Sequence, residues 1–101
     1  IIYPGARNLA PELLAEDGSV GIRITSDPFC IKLTESMGRP LVSSSANISS
    51  FPSPALFREI DPYIKEQVDY VVGLRQDETA PAKASTILKL NKKGIITVIR
   101  P

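Results

Sequence analysis

The chain has 101 residues, room for one domain, and its 43% hydrophobic and 23% charged residues are ordinary for a chain that folds around a core. Lys plus Arg is 12 and Asp plus Glu is 11, and this net charge of +1 excludes a polybasic nucleic-acid arm but not a local basic patch. Histidine is absent, which excludes Ser-His-Asp triads, His-ligated zinc and His general bases; the single cysteine, Cys30, excludes an intrachain disulfide and a thiolate metal site.

No apolar run approaches a membrane span and no basic-then-apolar signal opens the chain, so the cytosol is the expected compartment. The chain begins "IIYPG", which reads as the end of a strand stopped by Pro4-Gly5, and a truncated or processed chain is expected. "LAPELLAED" supports one or two helical turns, with Pro11 near the first turn and Gly18 closing it. "SVGIRI", residues 19 to 24, alternates Val20, Ile22 and Ile24 with Gly21 and Arg23, a strand with Arg23 on the face opposite the apolar set.

In "SDPFCIKLTESMGRP" Asp27 can cap a helix, Pro28 suits its first position, and Phe29, Leu33 and Met37 fall four apart on one stripe. Gly38 suits the C′ position and Pro40 prevents continuation. "LVSSS" reads as a short strand. "SPALFREIDPYIKEQV" restarts helix, with Ser53 as N-cap, Pro54 at the first position and Pro62 splitting it in two. "DYVVGL" reads as a strand and "RQDETAPAKA" as a mobile or functional loop. "STILKL-NKKG-IITVIR" is a hairpin of two alternating strands. This order predicts a mixed α/β fold: an open twisted sheet with helices packed on it and an antiparallel end.

Among the polar groups, Arg23 is either a solvent-facing side chain or a planar cation aimed at a carboxylate or phosphate. The segment "LVSSSANISSFPSP" puts Ser43, Ser44, Ser45, Asn47 and Ser53 just past the C-terminal end of a predicted strand, where open α/β sheets bind ligands. Hydroxyls, an amide and helix N–H groups in one neighbourhood suit a phosphate or adenylate, and they equally suit a turn with Ser and Asn backbone caps. Cys30 lies close to the apolar stripe, as a core residue would. Asp77-Glu78 is an isolated acidic pair and Lys92-Lys93 are turn residues.

The same serine-rich segment resembles the Ser-Ala-Asn signature of the YrdC-like domain, a small-residue strand, S-A-N, then x-S-G-x-P-S. "SVGIRITSDPF" resembles that family's T-V-G-x-R-x-P strand, "ASTILKL" its S-T-V-V-D strand and "ITVIRP" its terminal I-L-R-P, in the same order and spacing. The resemblance implies an open twisted α/β sheet around a concave pocket. The activity it implies is that of an L-threonylcarbamoyl-AMP synthase, joining threonine, bicarbonate and ATP (with Mg2+) and releasing pyrophosphate, for threonylcarbamoyladenosine modification of tRNA. On the matching positions, Ser19, Ser45, Asn47, Ser53 and Arg100 are expected at ATP, and Arg23, Ser43 and Ser85 at threonine. No catalytic side chain is implied.

Two departures stand out: Ser50 replaces a usual Gly, and Lys89 an aspartate. The resemblance also implies that the chain is the C-terminal portion of a single YrdC-like domain. The family's N-terminal half carries a P-T-D-T-x-Y-G-L strand-turn, a Lys-x-Arg motif and a P-G-P-x-T stretch. The 101 residues alone are therefore expected to be inactive, and to associate with themselves or with that segment. The alternatives are a non-catalytic YrdC-like protein that binds RNA or acts in translation, and the YciO-like branch, which tends to lack the Ala46-Asn47 pair present here.

Overall fold

The computed structural model describes residues Ile1–Pro101. The chain divides into two compact units, one formed by Ile1–Pro40 with Ser85–Pro101 and the other by Leu41–Ala84. The first unit carries a mixed four-stranded sheet, so the chain is of the α/β class expected. No helix is long and apolar enough to cross a membrane.

In the first unit β1 (Ile2–Tyr3) lies between β2 (Val20–Gly21), its antiparallel neighbour, and β3 (Ile87–Leu90), its parallel one. β4 (Ile96–Arg100) completes the order β2-β1-β3-β4 and pairs antiparallel with β3, Leu88 opposite Val98 and Leu90 opposite Ile96. The hairpin turn follows from its residues. Asn91 Oδ1 accepts from the N–H groups of Lys93 and Ile95, and Gly94 takes φ 79°, the left-handed conformation a residue without Cβ enters freely.

Helix α1 (Pro28–Met37) also follows from local chemistry. Asp27 Oδ2 accepts from Cys30 N at 2.9 Å, Pro28 opens the helix, and Gly38 ends it at φ 64° with its N–H on the Thr34 and Glu35 carbonyls. The Phe29–Leu33–Met37 stripe is 37–43% exposed rather than buried.

Several expected elements are shorter or absent. "LAPELLAED" forms one 3-10 turn, Pro11–Leu13. The strand expected over 19–24 is regular only at Val20–Gly21, and Ile24 is 93% exposed. In the second unit neither "LVSSS" nor "DYVVGL" is a strand, because apolar runs become strands only where a neighbouring backbone pairs with them. Ser53 does not cap a helix. Glu59 Oε2 accepts from Ala55 N at 2.8 Å and Leu56 N at 3.2 Å, which shapes a 3-10 turn over Phe57–Glu59. The expected break at Pro62 is present: α2 (Pro62–Gln67) starts afresh with Asp61 Oδ1 accepting from Tyr63 N.

Candidate functional site

Four of the candidate residues lie in the first unit. Arg23 follows β2, Ser85 precedes β3 and Arg100 ends β4. The Arg100 Nε and Nη2 groups both donate to the Ser85 carbonyl, at 2.9 and 2.7 Å, and Arg23 Nη1 reaches the Ser85 hydroxyl at 3.5 Å. Two guanidinium groups from separate segments thus meet on one residue. All three residues are exposed, so the cations remain open to an anion from solvent.

Ser19 is placed differently: it is 6% exposed and closes a turn. Its carbonyl accepts from Ala15 N and its N–H donates to Asp17 Oδ1. The Ser19 hydroxyl and N–H, joined by the Lys89 ammonium at 3.0 Å from Asp17 Oδ2, hold the Asp17 carboxyl well below the usual carboxylate range. Lys89, where the family pattern has aspartate, is thereby supplied with a carboxylate partner across the sequence.

The other four candidates lie in the second unit. Ser43 and Ser45 belong to an exposed segment without regular secondary structure. Asn47 organises the loop that follows: its Nδ2 donates to the Phe51 carbonyl at 3.0 Å, and its Oδ1 accepts from the Ser53 hydroxyl at 3.2 Å. Ser50, inside this loop, stands at φ 73°, so the position usually filled by Gly adopts the left-handed conformation that Gly enters most freely.

A cavity of about 450 Å³ opens in this unit, lined by Ser45 and Ser53. Its apolar wall includes Leu56, Phe57, Ile60 and Leu74, and its charged lining is Arg75 and Glu78. Phe57 carries the Lys65 ammonium 4.9 Å from its ring centroid. Ser43 and Asn47 do not line the cavity. Arg75 was not a candidate from sequence, and Glu78 entered only as part of the isolated acidic pair Asp77-Glu78. The signal for Arg75 is a cation directly after the Gly-interrupted apolar run "VVGL", at the head of a loop read as mobile or functional.

The arrangement offers two kinds of chemistry, described within each unit. The Arg23–Ser85–Arg100 cluster suits a carboxylate or phosphate, and the cavity offers apolar surface, hydroxyls and one cation to a mixed ligand such as a nucleotide. No group of three or more Cys, Asp and Glu residues gathers into a metal site.

The chain is similar to known proteins of one family. The Sua5/YciO/YrdC family model, described as "Telomere recombination", matches residues 1–101. A protein of Methanocaldococcus jannaschii named "Putative threonylcarbamoyl-AMP synthase" is 36% identical over 88 residues, covering 87% of this chain and 40% of that protein. The threonylcarbamoyl-AMP synthase of Pseudoalteromonas translucida is 31% identical over 71 residues, 70% of this chain and 38% of that protein. That of Vibrio parahaemolyticus is 27% identical over 97 residues, 87% of this chain and 51% of that protein. The chain therefore spans 38% to 51% of the length of these relatives. No solved structure matches it significantly.

Proposed function

The chain belongs to the Sua5/YciO/YrdC family, and from that premise we propose that it is the C-terminal part of a threonylcarbamoyl-AMP synthase. In this reading the full-length protein, at the length of its relatives, makes threonylcarbamoyl-adenylate and pyrophosphate from threonine, bicarbonate and ATP. The observation that carries it is the meeting of Arg23 and Arg100 on Ser85, three positions separated by up to 77 residues that belong to three different family motifs.

The chemistry asks little of side chains beyond placement. Threonine's neutral amine condenses with bicarbonate to a carbamate with loss of water, and a carbamate oxygen attacks the α-phosphorus of ATP while pyrophosphate leaves. No protein nucleophile or histidine base is needed, which is compatible with a chain that has no histidine. The protein's contribution is to hold two anions in line and offset the charge that develops on phosphorus.

Within the first unit, Arg23 and Ser85 would hold the threonine carboxylate and Arg100 would face the phosphates. Within the second, Ser45 and Ser53 would contact the nucleotide from the cavity wall, on a loop that Asn47 ties together. A magnesium ion would enter with ATP, held chiefly by phosphate oxygens, since no cluster of three acidic residues is present to cage one. The product would be the donor for threonylcarbamoyladenosine modification of tRNA.

The test is pyrophosphate release by the full-length protein. Release should require threonine, bicarbonate and ATP together, and Arg23→Ala should raise the KM for threonine far more than that for ATP. ATP turnover indifferent to threonine, or tight RNA binding with no turnover, would overturn the proposal in favour of a binding role. The 101-residue chain alone should release no pyrophosphate.

A further inference from the structure

We propose that a one-residue bulge at Ile99 assembles the two-arginine anion site, by turning Arg100 onto the sheet face that carries Arg23. The inference rests on the reading of Arg100 as a phosphate ligand and adds the device that aims it.

The register of the β3–β4 hairpin shows the extra residue. Leu90 lies opposite Ile96, Lys89 opposite Thr97 and Leu88 opposite Val98, but the next pair is Ile87 with Arg100 rather than with Ile99. One residue of β4 is therefore without an opposite number, and such a bulge changes the direction of the side chain that follows. Sliding the strands cannot remove it, because the Asn91–Gly94 turn pins the register at the other end.

The faces of the sheet can be told apart. Ile1, Leu88, Leu90 and Ile96 line one small apolar hollow and so share a face, which Val98 joins as the partner of Leu88. By alternation Ile87, Lys89 and Thr97 lie on the other face. Arg23 belongs there too. Ile22 N donates to the Ile1 carbonyl at 2.8 Å and Ile1 N to the Ile22 carbonyl at 2.9 Å, which pairs Ile22 with a residue of the apolar face. The next residue, Arg23, then points the opposite way, and its Nη1 meets the hydroxyl of Ser85, two positions before Ile87.

In an unbroken ladder Arg100 would stand opposite Thr86, on the apolar face and away from Arg23. With Ile99 bulged it stands opposite Ile87, and its Nε and Nη2 reach the Ser85 carbonyl at 2.9 and 2.7 Å. That carbonyl fixes one edge of the guanidinium and leaves further N–H donors of the fork for a ligand. Two cations on one face can serve adjoining anionic groups, which cations on opposite faces cannot do.

Calorimetric titration of the full-length protein with two probes, ATP and adenosine, tests this. Arg100→Ala should weaken ATP by about tenfold or more and leave adenosine within about twofold. The double variant Val98→Arg/Arg100→Val keeps the charge of β4 but moves it to the apolar face, at a position 60% exposed that accepts a long side chain. It should weaken ATP as much as Arg100→Ala does. Deleting Ile99 removes the bulge yet sets the same arginine opposite Ile87 in a regular ladder, so ATP affinity should stay within about twofold of the parent's. Parent-like ATP affinity in the double variant would overturn the inference and leave the nucleotide reading standing. Loss of ATP but not adenosine on deletion of Ile99 would do the same. Parallel loss of both probes with a lowered Tm in either variant would also overturn it, by showing a structural role. Failure of the parent protein to bind ATP would overturn both.

Discussion

Single residues in this chain carry distinct loads, and Ser50 and Asp17 show how. Ser50 stands at φ 73° in the loop tied by Asn47 and Ser53. A left-handed backbone costs a residue bearing a Cβ about 1 kcal/mol or more, and a β-branched residue is worse placed still. Chemical denaturation of the full-length protein should rank Ser50→Gly at or above the parent and Ser50→Val about 1–2 kcal/mol below it; a Val variant as stable as the Gly variant would mean the loop does not need this conformation. Asp17 makes a different prediction. Its folded-state pKa is depressed by the Ser19 hydroxyl and N–H and by Lys89, so its contribution is fully present above the ordinary value near 3.8 and is lost as pH falls through the lowered one. Between neutral pH and about 4 its contribution should therefore be constant and add no pH dependence, and below that the parent should lose stability with falling pH more steeply than Asp17→Asn. Matching acid-unfolding curves for the two would remove Asp17 from the balance. Ser19 gains a role from this that is independent of any ligand, since its hydroxyl and N–H are what hold the carboxylate.

At the scale of elements, what could be read in advance was whatever depends on near neighbours in the chain. Helix α1 was legible to the residue because Asp27, Pro28 and Gly38 supply its start and stop within the segment itself. If so, Asp27→Ala should cost about 1 kcal/mol, with far-UV signal and denaturation midpoint falling together. Asp27→Ser should recover most of that loss, and an indifferent Ala variant would show that packing, not the cap, sets the start. The β3–β4 hairpin was legible for the same reason: alternation on both sides of Asn91–Gly94 fixes its register. Residues 41–45 and 69–74 were misread because apolar, β-branched runs predict only a willingness to pair, and no backbone pairs with them here. The candidate site divides along the same line. Arg23, Ser85 and Arg100 came from motif resemblance, since no periodicity links positions so far apart. Arg75 was invisible because lining a cavity is a property of the folded loop, not of any local pattern.

Across the whole chain few hydrophobic side chains are buried. Its buried hydrophobic residues are Val20 in one unit and Leu56 in the other, while Ile96 and Val98 on β4 are 63% and 60% exposed and Val42 and Phe51 are 74% and 67% exposed. β4 is also a sheet edge, with one row of backbone groups unpaired. So much apolar surface in water cannot offset the conformational entropy lost on ordering the chain, because burial is the main favourable contribution. The 101 residues studied alone should therefore bind a hydrophobic dye such as ANS and keep far-UV ellipticity with weak near-UV signal. Their thermal transition should be broad, with the two signals melting at different temperatures. Sedimentation should show concentration-dependent association through the exposed apolar faces. In a protein extended to the length of its relatives, dye binding should fall and the transition should sharpen if the added segment covers those faces. A dye-free monomer of the isolated chain, melting in one sharp step seen alike by both signals, would mean that the exposed residues need no cover.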